Sequence, residues 1–395
     1  MKFPKWLPSS VRAISLALLL TSACGCEFFG GNTNAKPTDG GASVSDDDGG
    51  AYDLWVDLYY PGWRQDRLPP EQLDLTGVTH IIHFAWIPWI AEGGTDIYID
   101  DEMNGVDATA AETMVRIGHA ARKKVLITIG GAGDGSQYFN QAIGDASRAS
   151  FIQALVSKTV ERGYDGIDVD WEPTWETIAP NVGRFQQFSR ELRAAMDATA
   201  PQLILTTAGL GSQANVYAAL ADVYDQINIM TYDLVYAIPL TWHNSAIGGG
   251  AGAYYSVERA AAEYEVVGVP RRKLGIGLKC GGFSWANATA PLQDPKGAMP
   301  HAMTYSTIMT SYFAEAAYRW DESSQVPYLS ITDPSPMFIT YDDPRSAKAK
   351  VDFLRTGRYG GLIIWDPSEQ YFANGDATGV KHPLLQGVQQ AVAGN

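Results

Sequence analysis

Three acidic side chains alternate along one short predicted strand, where they are well placed to do chemistry together. The stretch from Tyr164 to Glu172 reads Tyr-Asp-Gly-Ile-Asp-Val-Asp-Trp-Glu. Because strand side chains alternate, Asp168, Asp170 and Glu172 point to one face and the apolar residues between them to the other. Carboxylates this close in a low-dielectric site cannot all ionise, so at least one keeps its proton near neutral pH. Such a group is a general acid, and Glu172 comes last, with the longest reach.

Two structural interpretations are alternatives to a general acid. The three carboxylates are also compatible with a buried ion pair or with a hard-cation site. His80 and His83 do not favour a metal, because a spacing of three on a strand places them on opposite faces. The six histidines and three cysteines of the chain form no zinc-like cluster. We therefore expect neither a metal nor another cofactor.

Eight apolar runs alternate with helical patterns and position this acidic strand. Strand–helix alternation predicts a parallel sheet with right-handed crossovers, and eight units predict closure into a (β/α)8 TIM barrel, an α/β fold. The carboxylates would then lie one after another along the barrel interior, with Glu172 nearest the C-terminal mouth, where barrel enzymes have their active sites. The predicted strands are Leu54–Tyr60, Thr79–Trp86, Lys124–Gly130, Tyr164–Glu172, Leu203–Gly209, Asp225–Tyr232, Lys273–Cys280 and Gly361–Asp366. The predicted helices include Ala110–Lys123, Ser147–Arg162, Val182–Ala198, Ser256–Glu265 and Pro344–Arg355.

The regular alternation of strands and helices is interrupted by a long segment between predicted strand 7 and helix 7. Residues 286–337 predict a small α+β insertion on the barrel rim, with a short helix within Met303–Trp320 and a strand over Val326–Ile331. We assign residues 51–395 to the barrel domain, insertion included.

Charge and composition narrow the function classes. The chain of 395 residues carries a net charge of −15, which would repel DNA or RNA, so we expect no nucleic-acid partner. Its 11 tryptophans and 20 tyrosines suit the gripping of sugar rings, although core packing is the commoner use of such residues. Cys280 is the only cysteine of the predicted barrel, so we expect a buried free thiol and no disulfide framework. We also expect the protein to be a monomer.

The first fifty residues read as an export signal followed by a tether. A basic start and a short apolar stretch make residues 1–23 a signal peptide, and that stretch is too short to span a bilayer. The segment Thr21-Ser22-Ala23-Cys24-Gly25-Cys26 resembles a lipoprotein cleavage box with Cys24 as lipid acceptor. Cys26 is an alternative acceptor, and simple secretion is the alternative to a lipid anchor on the cell envelope. Residues 24–50 predict a flexible Gly/Asp/Ser-rich tether, so any membrane contact would come from the lipid.

The acidic strand also resembles the signature of glycoside hydrolase family 18, the chitinases and their relatives. Every acidic position of that signature is present in Asp165-Gly-Ile-Asp168-Val-Asp170-Trp-Glu172. Other family motifs have counterparts in the same order along the chain. They are similar to Trp55–Tyr60 with Pro61-Gly62-Trp63, Thr79–Ala85, Thr128-Ile129-Gly130-Gly131, Gln226–Asp233, Tyr341–Pro344 and Gly360–Trp365.

The resemblance implies a mechanism in which the substrate's own N-acetyl group is the nucleophile. Glu172 would protonate the glycosidic oxygen and later activate water, and Asp170 would bind the acetamide N–H. Asp168 would buffer the charge beneath Asp170, whereas Asp165 would be structural. Tyr232 would donate to the acetamide carbonyl, with Met230 pointing inward beside it and Asp233 able to contact the sugar.

Aromatic residues are the expected sugar-binding surfaces. The resemblance makes Trp365 the floor under the reacting sugar, with Tyr59, Trp86 and Trp242 as weaker candidates for stacking. His243 is a further candidate for the cleft wall. Ala132 stands where many chitinases carry an aromatic residue, which leaves stacking on the leaving-group side without its usual ring.

The implied activity is hydrolysis of β-1,4 linkages between N-acetylglucosamine units, with chitin or its oligosaccharides as substrate. An endo-β-N-acetylglucosaminidase acting on N-linked glycans and a peptidoglycan hydrolase are alternatives, since their substrates carry the same acetamide. A non-catalytic chitin-binding lectin on the same barrel is the alternative from another class.

Overall fold

The computed structural model describes residues 53–90, 97–237, 239–250 and 254–394. The predicted signal peptide, Cys24, Cys26 and the tether lie outside the described residues. None of the helices in those ranges is long and apolar enough to cross a membrane.

Fourteen strands and nine α-helices make up the described part of the chain. The strands are β1 (Trp55–Pro61), β2 (His80–Ile90), β3 (Ile97–Asp100), β4 (Lys124–Gly131), β5 (Gly166–Trp171), β6 (Ile204–Gly209), β7 (Gln226–Ile229), β8 (Leu274–Lys279), β9 (Gly281–Ala286), β10 (His301–Thr304), β11 (Tyr318–Asp321), β12 (Val326–Ile331), β13 (Met337–Tyr341) and β14 (Gly361–Trp365). The helices are α1 (Ala108–Ala120), α2 (Asp134–Ala142), α3 (Arg148–Glu161), α4 (Trp175–Thr199), α5 (Ala214–Ala218), α6 (Val257–Val266), α7 (Tyr305–Ser311), α8 (Pro344–Gly357) and α9 (Pro383–Val392).

Eight parallel strands close into a barrel, which confirms the predicted fold. Their order is β1, β14, β8, β7, β6, β5, β4, β2, and β2 pairs with β1 again to complete the ring. β3 adds an antiparallel strand outside the ring, on the C-terminal extension of β2. In the ring, Asp168 of β5 lies level with Thr128 of β4 and with Thr206 of β6. This register brings two hydroxyls to the lowest of the three carboxylates.

Helix starts follow the capping signals in the sequence. The Asp343 side chain accepts a hydrogen bond from Ser346 N, and Pro344 fills the first position of α8. Ser256 likewise caps α6 by accepting from Arg259 N. These helices alternate with the barrel strands and cover the apolar outer faces of the ring.

The sixth barrel strand is shorter than predicted. β7 ends at Ile229, so Met230 and Tyr232 lie in the turn that follows it and not on the strand itself. Thr231 N donates to Ile229 O at 2.8 Å, and Asp233 takes a left-handed φ of 59°. The backbone therefore turns into the barrel mouth here, and simple strand parity does not describe these residues.

The insertion is a five-stranded antiparallel sheet in the order β10, β9, β13, β12, β11. It lies between β8 and α8 as predicted, but its first strand begins at Gly281 and its last ends at Tyr341, wider than 286–337. The strand over Val326–Ile331 is present. The helix predicted within Met303–Trp320 covers only Tyr305–Ser311, because the Tyr318–Asp321 segment pairs with β12 instead.

The N-terminal half of the barrel interior holds a buried polar group whose members lie on different strands. Asp57 Oδ1 lies 2.9 Å from His80 Nδ1, and Asn228 Nδ2 donates to Asp57 Oδ2 at 3.2 Å. Trp55 Nε1 donates to Asn228 Oδ1 at 3.1 Å. We call Asp57, His80 and Asn228 the basal cluster. Its members have partners on other strands, so it ties the base of the barrel together.

Candidate active site

Asp168 forms the buried base of the carboxylate series. It is fully buried, and it accepts hydrogen bonds from Thr206 Oγ1 at 2.6 Å and Thr128 Oγ1 at 3.0 Å. Burial raises its pKa to about 6, although the two hydroxyls favour the charged form. Asp168 is therefore anchored by neutral donors rather than by a cation.

Asp170 lies one step higher and is almost completely buried. The neighbouring strand approaches it closely through Gly130, where a Cβ atom would lie 2.2 Å from Asp170 O. Gly130 and Gly131 also take φ values of 117° and 103°, which side chains on L-residues disfavour. The carboxyl oxygen Oδ1 of Asp170 has no hydrogen-bond partner. Burial raises the pKa of Asp170 well above its usual range, and the charges of Glu172 and Asp168 raise it further.

Glu172 ends the series at the barrel mouth and is half-buried. Burial raises its pKa to about 7, the charge of Asp233 adds to that effect, and a hydrogen bond with Asp170 works against it. Because the Asp170 and Glu172 carboxyls interact, their protons belong to the pair. The pair therefore holds at least one proton near neutral pH, in a place that a ligand can reach.

Tyr232 faces these acids from the turn after β7. Its ring lies against Gly277 of β8, where a Cβ atom would come within 2.5 Å of Tyr232 Cδ1. Burial, and next the charge of Asp170, raise the pKa of the phenol well above its usual value. Tyr232 therefore keeps its proton and is available as a hydrogen-bond donor.

An aromatic floor lies at the end of β14. The Trp365 ring is half-buried and meets Phe84 edge-on at 4.9 Å and Tyr59 at 6.2 Å between centroids. Met230 and Tyr232 pack against the same apolar group as Trp365. The predicted residues Trp365, Tyr232 and Met230 therefore border one apolar cluster of the barrel interior. Sequence reasoning did not single out Phe84, which supports this floor.

Three of the predicted stacking residues offer no face to a ligand. Trp86 is fully buried, donates its Nε1–H to Val106 O at 3.2 Å and packs against Tyr164. Trp242 is also buried, and its Nε1 donates to Tyr255 O at 3.0 Å. Tyr59 is 2% exposed and lies beneath Trp365. In the structure each ring is packed in the interior, and its use as a sugar-stacking surface stays a prediction.

The candidate cleft residue His243 is buried as well. Its Nε2 lies 2.9 Å from Asp321 Oδ2, so it joins the loop after β7 to β11 of the insertion. It therefore contributes to structure rather than to a cleft wall.

Asp165 lies at the opposite end of β5 from Glu172. It contacts His119 Nε2 at 2.7 Å and Lys124 Nζ at 3.0 Å, and it accepts from Val125 N at 2.9 Å. These contacts join α1, β4 and the start of β5. Its partners make it a structural residue, remote from the mouth.

Lys279 was missed by the sequence reasoning, although it lies at the mouth. Its Nζ donates to Asp233 Oδ1 at 2.6 Å, and the residue is 8% exposed. The signal was present in the sequence: Lys279 ends a predicted interior strand and shares the inward parity of Gly277. Asp233, named as a sugar contact, is thus held in an ion pair.

Two exposed rings stand at the rim of the mouth. Trp63 is 40% exposed and meets Phe84 edge-on at 5.7 Å. Tyr236 is 49% exposed and meets Phe283 of the insertion at 5.5 Å. Among the described residues, no group of three His, Cys, Asp or Glu side chains is arranged to hold a metal ion. The groups that lie at the mouth are the Asp170–Glu172 pair, the Tyr232 phenol, the Lys279–Asp233 pair and aromatic faces.

A protein-family model described as glycosyl hydrolases family 18 matches residues 56–369. The chain belongs to this family. The match spans the barrel from β1 to the turn after β14 and includes the insertion.

Named relatives in the family include chitinases and chitinase-like proteins. Human chitinase-3-like protein 2 is 27% identical over 387 residues, covering 87% of this chain and 93% of that protein. Mouse chitotriosidase-1 is 24% identical over 366 residues, covering 84% of this chain and 76% of that protein. The family thus contains chitinases at this level of identity.

Solved structures of family members share the fold. Human YKL-39, solved in the presence of chitooligosaccharides, superposes with a TM-score of 0.73 at 23% identity, covering 86% of this chain and 99% of that one. The second catalytic domain of an Ostrinia furnacalis Group II chitinase, in complex with a chitooligosaccharide, superposes with a TM-score of 0.74 at 20% identity. That likeness covers 87% of this chain and 97% of the other. At this identity the structures establish the barrel.

Proposed function

We propose that this protein is a chitinase, which hydrolyses β-1,4 linkages between N-acetylglucosamine units with retention of configuration. The observation that carries the proposal is the half-buried Glu172 at the barrel mouth, next to the buried Asp170 carboxyl. A carboxyl group that is still protonated near neutral pH can donate to a leaving oxygen, and the same group can afterwards accept a proton from water.

In the first step, the acetamide oxygen of the reacting sugar attacks its own C1 atom. The bond from C1 to the glycosidic oxygen breaks, and Glu172 gives its proton to that oxygen. Asp170 accepts a hydrogen bond from the acetamide N–H and stabilises the positive oxazolinium ring. Tyr232 donates to the acetamide oxygen, and Trp365 supports the apolar face of the sugar.

In the second step, water attacks C1 from the side that the leaving group vacated. Glu172 accepts a proton from this water, the ring opens to restore the acetamide, and the product keeps its original configuration. Asp168 remains fixed by Thr128 and Thr206 and keeps negative charge beneath Asp170. No covalent bond to the protein is required.

A catalytically silent sugar-binding protein is the competing proposal. It is favoured by one relative, human YKL-39, described as a pseudo-chitinase with retained chitooligosaccharide binding. The full acidic series Asp168, Asp170 and Glu172 in this chain supports catalysis instead.

Hydrolysis of a chromogenic chitobioside by the wild type and by Glu172→Gln tests the proposal. We expect the substitution to lower kcat by about 10²–10⁴-fold, the usual contribution of a general acid–base group. Binding of N-acetylglucosamine hexamer, measured by calorimetry, should persist in both proteins. Equal turnover in the two would refute the assignment of Glu172, and binding without turnover in the wild type would identify a lectin.

The choice of polymer needs a separate experiment. We expect chitin oligosaccharides to be cut faster than peptidoglycan fragments or N-linked glycans. The rates and products with N-acetylglucosamine hexamer, murein fragments and an N-glycosylated protein, each followed by mass spectrometry, distinguish these activities. Preferred release from a glycoprotein or from murein would replace chitinase by one of the other two activities.

We also propose that the protein is exported and lipid-anchored through Cys24. The basic and apolar pattern of residues 1–23 and the cleavage box around Cys24 support this. Mass spectrometry of the mature N-terminus tests it. An acylated Cys24 supports the anchor, whereas a start at Gly25 or Glu27 without acyl mass supports simple secretion.

A further inference from the structure

A second group of charged side chains lies beside the mouth, and the steps proposed above leave most of it without a task. We call it the lysine cluster. It joins the ends of β8 and β14 to the turns after β1 and β7. Its members are Lys279, Asp233, Glu369, Asp366 and Arg64.

Lys279 is the centre of this cluster. Its ammonium lies 2.6 Å from Asp233 Oδ1 and 5.0 Å from the centroid of the apolar Phe283 ring. A charge held against an apolar ring loses much of its hydration, and only a close counter-charge compensates that loss. The Asp233 carboxylate supplies the counter-charge, so the two side chains hold each other in place.

Asp233 is fixed from its backbone as well. Its φ is 59°, and its N–H donates to Asn244 Oδ1 at 3.0 Å. With the backbone and the carboxylate both held, Asp233 keeps one position relative to Glu172. Its charge raises the pKa of Glu172. Lys279 can therefore act on Glu172 through Asp233 without touching a substrate.

Resting on the proposed function, we infer that Lys279 is a positioning residue for the reaction. It orients the Asp233 carboxylate and offsets part of its charge. In this way it sets the upper pH limit at which Glu172 still carries the proton that it donates.

Other ionisable groups face this pair and enter the test. Glu369 is tucked against Gly281, where a Cβ atom would lie 2.2 Å from Glu369 Oε2, and that oxygen has no hydrogen-bond partner. Burial, and next the charge of Asp366, raise the pKa of Glu369 to about 8. The ionisable groups around Asp233, Lys279 and Glu172 are Asp170, Tyr232, Tyr236, Glu369, Asp366 and Arg64.

The test is the pH dependence of kcat/KM for a chromogenic chitobioside. Lys279→Met removes a positive charge, so Glu172 should keep its proton to a higher pH. We expect the basic limb to move upward by at least about 0.5 pH unit. Lys279→Arg, which keeps the charge, should restore the wild-type limb to within about 0.2 pH unit. Asp233→Asn removes the negative charge and should move the limb downward.

Double variants show the route of the effect. If Lys279 acts through Asp233, Lys279→Met should produce no further shift in an Asp233→Asn protein. The shift should persist in a Glu369→Gln protein. Lys158→Met is the matched control, because Lys158 Nζ also lies close to a carboxylate, 2.8 Å from Asp101 Oδ2, but on α3 outside the barrel. It should leave the limb unchanged.

If the basic limb does not move in folded Lys279→Met, the inference is overturned. It is also overturned if Lys279→Met moves the limb as far in the Asp233→Asn protein as it does in the wild type. Should Lys279→Met fail to fold, Lys279→Gln replaces it under the same criteria. The titration of Glu172 can also be followed without turnover, by the ¹³C carboxyl signal that disappears in Glu172→Gln. A wild type that cuts no chitobioside refutes the proposed function, whereas that ¹³C titration still decides the role of Lys279.

Discussion

Buried acids in the interior of this barrel lie in two different settings. In the basal cluster, Asp57 has His80 at 2.9 Å and Asn228 at 3.2 Å as partners. Burial alone would lower the pKa of His80, but the charge and the hydrogen bond of Asp57, together with the charge of Asp165, outweigh burial and raise this pKa. Asp57 and Asp170 each have one oxygen, Oδ1, without a hydrogen bond, but at the mouth the group beside Asp170 is a second acid, Glu172. At the base an acid faces a histidine, whereas at the mouth an acid faces another acid and the pair keeps a proton.

The difference shows how acids in one protein are given structural or chemical roles. A buried carboxylate beside a basic group and an amide donor depends on those partners, and removing one partner destabilises the fold because it leaves a buried group uncompensated. A buried carboxyl crowded by other acids costs stability, and the fold tolerates it where a ligand supplies the missing partner. The two groups should therefore respond oppositely to removal of their charge.

The largest expected effect is on catalysis, from Asp170→Asn. We expect kcat on a chitobioside to fall by about 10²–10³-fold, because the charge that stabilises the oxazolinium is removed. Thermal unfolding should show no loss of stability, because the substitution removes the repulsion between two buried acids and the amide can still hydrogen-bond with Glu172. A large drop in melting temperature with little change in kcat would show that Asp170 has a structural role, like Asp57 in the basal cluster.

The two tryptophans near the mouth sharpen the comparison. Trp365→Ala should lower kcat/KM by about 10- to 100-fold, equivalent to about 1.4–2.8 kcal/mol, because the sugar loses its apolar support. Trp242→Phe is the control: Trp242 is buried and donates to Tyr255 O, so its loss should change stability and leave kcat/KM intact. Equal losses of kcat/KM in both variants would contradict the assignment of Trp365 as the floor.

Asp57→Asn should have the reverse signature. It breaks the contact with His80, and we expect the free energy of unfolding to fall by about 1–3 kcal/mol. The rate per folded molecule should stay within about 2-fold of the wild type, because the basal cluster does not reach the mouth. Urea unfolding and active-site-normalised kinetics measure the two quantities. If Asp57→Asn lowered the rate and left stability unchanged, the basal cluster would take part in catalysis together with the acids at the mouth.

The smallest effect concerns stability against pH. Glu172 has a pKa raised from 4.5 to about 7, so the folded state binds more protons than the unfolded state in this window. Wild-type stability should fall as pH rises through it. Glu172→Gln removes this loss, and its melting temperature should exceed the wild type's by about 1–3 °C above neutral pH. The two curves should converge below pH 4.5, and a constant offset would speak against the raised pKa.

Much of the fold follows from the sequence. The alternation of apolar runs and helical patterns can be recognised locally, and eight such units predict a closed parallel barrel. The eight barrel strands lie where their apolar runs predict them, to within a few residues at most ends. The segment Tyr318–Asp321 was mistaken for part of a helix. Its alanine-rich neighbourhood favours a helix, but pairing with β12 decides the outcome, and pairing is invisible to local propensity.

For the site, the sequence was informative where alternation and motif coincide and failed where burial decides. Asp168, Asp170 and Glu172 form a series that strand parity alone brings together. Trp86 and Trp242 look equally suited to stacking, and only their buried positions separate them from Trp365. Lys279 shows the converse: its partner Asp233 is 46 residues away, and that contact depends on the closed ring.

The central claim is that a carboxyl group at the mouth keeps its proton near neutral pH. The most direct measurement is a titration of the wild-type protein with ¹³C-labelled carboxyl groups, reading the signal of Glu172 that is absent from Glu172→Gln. The account predicts a midpoint of about 7 for this signal. A midpoint at the ordinary value of 4.5 would contradict it.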